Sequence, residues 1–126
     1  MRVLVVDDAG FMREIFIQGC QELGVDVVAE ATNGNEAISL ARLHKPDVVI
    51  MDLVLPEKNG VETAIEILKE NPRMQIIATS SLTEKWIEKK ARDAGCNYFL
   101  KKPFTKIDMK NVFDLLETER RHLKHG

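Results

Sequence analysis

The chain has 126 residues, 44% of them hydrophobic, which is enough to bury the core of one ordinary domain. Its net charge of −2 removes any global electrostatic case for nucleic acid or a membrane surface. The two cysteines, Cys20 and Cys96, have no paired spacing and fit a reduced, cytoplasmic protein, and no apolar stretch is long enough to span a bilayer.

In chain order, residues 2–7 read as a strand, a continuous β-branched run that closes in Asp7-Asp8. This start reads as a strand rather than a charged leader with an apolar core, so no signal peptide is expected. A helix follows with Met12, Ile15, Phe16, Gly19 and Leu23 on one face, and Gly24 ends it. Residues 25–31 form the second strand. The turn Asn33-Gly34-Asn35 can cap the next helix, which carries Ala37, Leu40 and Ala41. Pro46 precedes a third strand over residues 47–52, closing in Asp52. Val61, Ala64, Ile65 and Leu68 then mark the apolar stripe of a third helix. Pro72 precedes the fourth strand, residues 75–80, which closes in Ser80-Ser81. Ile87, Ala91 and Ala94 mark the fourth helix, and Gly95 its C′ position. Residues 98–101 are the fifth strand, followed by Lys102-Pro103 and a last helix striped by Met109, Val112, Phe113 and Leu116. The mixed charges of residues 117–126 read as a solvated helix end or the start of a linker.

Five βα units predict an α/β fold over residues 1–126, one domain with a doubly wound parallel sheet and helices on both faces. The expected strand order is 2-1-3-4-5, with the reversal between the first and third strands. Asp7, Asp8, Asp52, Ser80 and Lys102 then share the sheet edge where ligands of such folds bind. Three carboxylates at about 5 Å repel by roughly 3 kcal/mol per pair at an effective dielectric near 20. A divalent cation, most simply Mg²⁺, would offset this. With the metal present, an Asp52 oxygen could attack a phosphoryl group and form an aspartyl phosphate. Lys102 and Ser80 would neutralise and hydrogen-bond the phosphoryl oxygens.

These residues resemble the receiver domain of two-component response regulators. The matching pieces are Val5-Val6-Asp7-Asp8, Met51-Asp52-Leu53 with Pro56 and Gly60, Ile77-Ala78-Thr79-Ser80-Ser81, and Lys102-Pro103-Phe104. The resemblance implies a flavodoxin-like fold, with Asp52 as phosphoacceptor and a histidine kinase as phosphodonor. It implies Mg²⁺ held directly by Asp8, Asp52 and the Val54 backbone carbonyl, with Asp7 acting through water. It makes Ser80 the switch hydroxyl, Phe99 the switch aromatic and Lys102-Pro103 a cis peptide. The loop Asp7-Asp8-Ala9-Gly10-Phe11-Met12-Arg13 is most similar to chemotaxis-type (CheY-like) receivers, while Ser80-Ser81-Leu82-Thr83 is also similar to receivers of chemotaxis methylesterases. In related receivers the face of the fourth helix, fifth strand and fifth helix docks partners. Such a chain labels itself from a phosphodonor and hydrolyses the product slowly, without turning over an external substrate. Phe99 lacks the hydroxyl of the commoner Tyr. Val54 and Leu82 are apolar where fast-hydrolysing members carry polar groups, and are expected to shield the phosphoryl group.

Plainer readings stand beside these. Asp7 and Asp8 could cap the following helix, and Asp52 could be a turn residue ahead of Pro56. Ser81 and Thr83 read as helix-capping groups, Lys101 as a surface charge, Cys20 as core and Cys96 as a loop thiol. His44, His122 and His125 lack metal-ligand spacing and read as solvated. Trp86 is either half-buried packing or an exposed anchor for a partner. An aspartyl phosphatase would carry a second Asp where Val54 stands, and a flavin site would not place Asp7-Asp8 in its phosphate loop. The receiver of a transcription factor or methylesterase, its output domain absent, shares every pocket residue.

Overall fold

The computed structural model describes residues 1–82 and 85–125. Strands β1 (Arg2–Val6), β2 (Asp26–Ala31), β3 (Val48–Asp52), β4 (Gln75–Ser80) and β5 (Tyr98–Lys101) alternate with helices α1 (Gly10–Glu22), α2 (Gly34–His44), α3 (Gly60–Glu70), α4 (Lys85–Asp93) and α5 (Lys106–His125). All pairings are parallel and the order is β2-β1-β3-β4-β5, as the alternation of elements predicts.

Strand alternation sends side chains to two cores. Leu4, Val49, Met51, Ile76 and Ala78 meet Ala37, Ala41, Ala64, Ile67, Ile87 and Ala91 on one face, the side of α2, α3 and α4. Val3, Val5, Ile50, Ile77 and Leu100 meet Phe16, Cys20, Met109, Phe113 and Leu116 on the other, the side of α1 and α5. Every residue of β3 is buried, which explains its unbroken apolar run. Gly24 (φ +71°) and Gly95 (φ +101°) take the left-handed conformation expected after α1 and α4.

The starts of α2 and α3 are set by side-chain caps. Asn33 Oδ1 accepts the Glu36 N–H at 2.8 Å, as the Asn-Gly-Asn turn predicts, and Asn59 Oδ1 accepts the Glu62 N–H at 2.9 Å. Gly60, the first residue of α3, lies against the end of β3: a Cβ there would meet the Asp52 carbonyl oxygen and stand 2.6 Å from Leu53 Cα. Both obstacles are backbone, so Gly60→Ala is expected to cost about 2–3 kcal/mol, read as a lower denaturant midpoint at constant m. A wild-type midpoint would show that α3 can shift freely.

Several side chains differ from expectation. Ile15 and Ile65 are 45% and 39% exposed, because the helices turn Cys20 and Ile67 to the core instead. Cys96 is not a plain loop thiol: it is 6% exposed and belongs to the core beside α4. Burial pushes the Cys20 and Cys96 thiols up to about 12 and about 11, so neither is a reactive nucleophile. Trp86 is 58% exposed and lies under the Lys90 ammonium at 5.7 Å, which corrects the packing reading in favour of the exposed one. His44 is half-buried rather than solvated, while His122 is exposed. Thr83 and the His125 side chain lie outside the described residues.

Candidate functional site

The ends of β1, β3, β4 and β5 converge at the C-terminal edge of the sheet, where the strand order reverses between β1 and β3. Asp7 follows β1 and is 1% exposed. Its N–H donates to the Ala31 carbonyl at 3.1 Å, and its Oδ1 accepts the Ala9 N–H at 2.9 Å. Neither Asp7 nor Asp8 is the N-cap of α1, a position Ala9 holds without a side-chain bond. Asp8 is exposed and joins no ion pair among the described residues. Asp52 closes β3 with its Oδ1 accepting the Val54 N–H at 3.0 Å. One carboxylate oxygen from each of Asp7, Asp8 and Asp52 lies within 4.8 Å of the others.

Lys102 crosses this cluster from the end of β5. Its Nζ donates to Asp7 Oδ2 at 2.8 Å and to Asp52 Oδ2 at 3.2 Å. The Lys102–Pro103 peptide bond is cis. Ser80 is fully buried at the end of β4, its Oγ accepting the Leu82 N–H at 3.0 Å. Phe99 packs against the core on the side of α2, α3 and α4, beside Ala78 in register. Val54 and Leu82 are 55% and 43% exposed and line one groove with Trp86 and Lys90.

A family model for the response regulator receiver domain matches residues 3–114. The chain belongs to this family. Among relatives of the receiver domain, the chemotaxis protein CheY of Thermotoga maritima is 42% identical over 82% of this chain and 86% of its own. The transcriptional regulatory protein PdtaR of Mycobacterium tuberculosis is 34% identical over 97% of this chain but only 59% of its own. Among solved structures, the response regulator domain of Thermotoga maritima CheB is 36% identical, covers 96% of this receiver and 94% of that chain, and superposes with a TM-score of 0.79.

Electrostatics of the receiver pocket follow from its burial. Desolvation pushes the Asp52 carboxyl above the ordinary carboxylate range, against the Val54 hydrogen bond and the Lys102 charge, with Asp7 adding to the rise. Since the folded value lies above the unfolded one, ionised Asp52 costs stability at neutral pH. That cost vanishes as the pH falls below the unfolded value of about 3.9. Burial also disfavours the Lys102 ammonium, but its hydrogen bond to Asp7 and the Asp52 and Asp7 charges outweigh this and hold its pKa above the usual lysine value. The donor set suits a hard cation: three carboxylates supply only oxygen, and Asp8 is exposed at the mouth of the cluster.

Two features were not legible in the motifs. Lys102 was expected to serve the phosphoryl group, yet in the described structure it is the counter-ion joining Asp7 to Asp52. Arg13, one turn into α1, braces the loop: its guanidinium donates to the Asp7 carbonyl at 2.9 Å and pairs with Glu30 at 3.0 Å. Its place six residues after Asp7, at the start of an amphipathic helix, was the available signal.

Proposed function

We propose that this receiver accepts a phosphoryl group from a histidine kinase on Asp52, in a Mg²⁺-dependent reaction, and thereby switches partner binding in cytoplasmic chemotaxis signalling. The observation that carries this reading is the Asp7-Asp8-Asp52 cluster with Lys102 bridging two of its members. An Asp52 oxygen attacks phosphorus, the bond to the donor imidazole nitrogen breaks, and that nitrogen keeps the electron pair. Asp8, Asp52 and the Val54 carbonyl would hold Mg²⁺ directly and Asp7 through water; the ion supplies charge neutralisation at the transferring oxygens. Lys102 moves toward the phosphoryl oxygens, and Ser80 donates its hydroxyl to one of them. That inward movement leaves room behind Ser80 for the Phe99 ring. The chain turns over no external substrate; besides its own labelling it performs only slow hydrolysis.

The partner surface in this reading is the face of α4, β5 and α5, reached from the pocket through Ser80 and Phe99. Trp86 is the only tryptophan and stands exposed on α4. Beryllofluoride with Mg²⁺ is therefore expected to change its fluorescence in the wild type and not in Asp52→Asn. An equal response in both would separate α4 from the pocket.

Residues 1–126 act as one receiver domain in this proposal, with residues 117–126 as a helix end or linker start. The resemblance to PdtaR and to the CheB domain favours a second reading, a receiver joined to an output domain. A pull-down comparing beryllofluoride-activated with unactivated protein decides between them. Selective enrichment of flagellar switch components supports chemotaxis, and DNA-bound complexes overturn it.

Val54 and Leu82 bear on phosphoryl lifetime. Both are apolar and partly exposed, beside Asp52 and Ser80 in sequence. Replacing both with polar residues is expected to shorten the half-life roughly tenfold, since a polar group there can position the attacking water. An unchanged half-life rejects the shielding role.

A further inference from the structure

Thr79 is fully buried in β4, and its Oγ1 has no hydrogen-bond partner among the described residues. An unpaired buried hydroxyl destabilises the fold, and a valine of the same shape would avoid that cost. The position of this hydroxyl suggests what it is for. Thr79 pairs in register with Asp52 on one side and Leu100 on the other. Ile50, Ile77 and Leu100, each two residues before Asp52, Thr79 and Lys102, all face the α1 and α5 core. Alternation therefore places Thr79 on the same face as Asp52 and Lys102, one strand spacing (about 4.8 Å) from Asp52. A lysine ammonium has three N–H donors and no acceptor. Two N–H groups of Lys102 are used, toward Asp7 and Asp52. Thr79 brings unused lone pairs to the same face of the sheet.

We propose that Thr79 is a positioning residue for phosphoryl transfer, whose hydroxyl accepts the third N–H of Lys102 when the ammonium moves off Asp52 onto the phosphoryl oxygens. This rests on the phosphoacceptor reading of Asp52. The hydroxyl is unpaired in the resting protein and paired in the loaded one, so its cost in the first state becomes a preference for the second. Aspartyl phosphate formation moves the negative charge that held Lys102 from the Asp52 carboxylate onto the phosphoryl oxygens, and Thr79 keeps the ammonium in reach of them.

The test compares Thr79→Val, which keeps the shape, with Thr79→Ser, which keeps the hydroxyl. Thr79→Val is expected to raise the melting temperature of metal-free protein by a few degrees, while slowing acetyl phosphate labelling about tenfold and weakening beryllofluoride binding to a similar extent. Thr79→Ser is expected to restore labelling and beryllofluoride binding. The inference is overturned by wild-type labelling in Thr79→Val, by Thr79→Ser being as slow as Thr79→Val, or by a lower melting temperature in Thr79→Val. Failure of the wild type itself to label would instead remove the phosphoacceptor reading.

Discussion

Asp52→Asn is expected to abolish labelling by acetyl phosphate and Mg²⁺, a fall of at least about a hundredfold, down to background. Asp7 and Asp52 each have both oxygens held, in Asp52 Oδ1 by the Val54 N–H and Oδ2 by Lys102, but the Asp52 side chain remains 10% exposed. Asp7 is closed in at 1%, and Asp8 is exposed with no ion pair to orient it among the described residues. A nucleophile must be both held and reachable, and only Asp52 is both. Asparagine keeps the shape and the Val54 bond but removes the negative oxygen. Phosphopeptide mapping reads the outcome, and persistent label on another residue would refute the assignment.

Lys102→Met is expected to lower stability by about 3 kcal/mol in EDTA, a fall in melting temperature of about 10 °C, and saturating Mg²⁺ should recover much of it. Without the ammonium, Asp7 and Asp52 face each other buried and uncompensated. A bound cation can replace the lost charge. Asp8→Ala is expected to act with the opposite sign. In EDTA it removes one member of a repelling group and raises the melting temperature by a few degrees, a modest gain because Asp8 is exposed and screened. In Mg²⁺ it is expected to forfeit the proposed ligand, so the stabilisation expected of Mg²⁺ in the wild type should be lost. Thermal melts of the three proteins with and without Mg²⁺ check both signs. A lower melting temperature for Asp8→Ala in EDTA would mean that the carboxylates do not repel as argued, and an unchanged one for Lys102→Met would mean that Lys102 is not their counter-ion.

Much of the fold was legible because its signals are local. The unbroken, β-branched apolar runs of β1 and β3 read as strands buried on both faces, Gly24 and Gly95 end helices through their backbone preference, and Asn33 caps one through its side chain. Parallel crossovers then bring Asp7, Asp52, Ser80 and Lys102 to one edge whatever the packing detail, because the chirality of βαβ units leaves few other arrangements. The tertiary structure decided what depends on distant neighbours. It buried Ile67 and Cys96 and left Ile65 and Trp86 outside, since burial depends on which elements cover a helix face, not on that face's period. It separated Asp7 from Asp8, adjacent in the chain but one enclosed and one open. It also set Lys102 between two acids 95 and 50 residues away, and left the Thr79 hydroxyl without a hydrogen-bond partner among the described residues, because charge pairing and hydrogen bonding act through space.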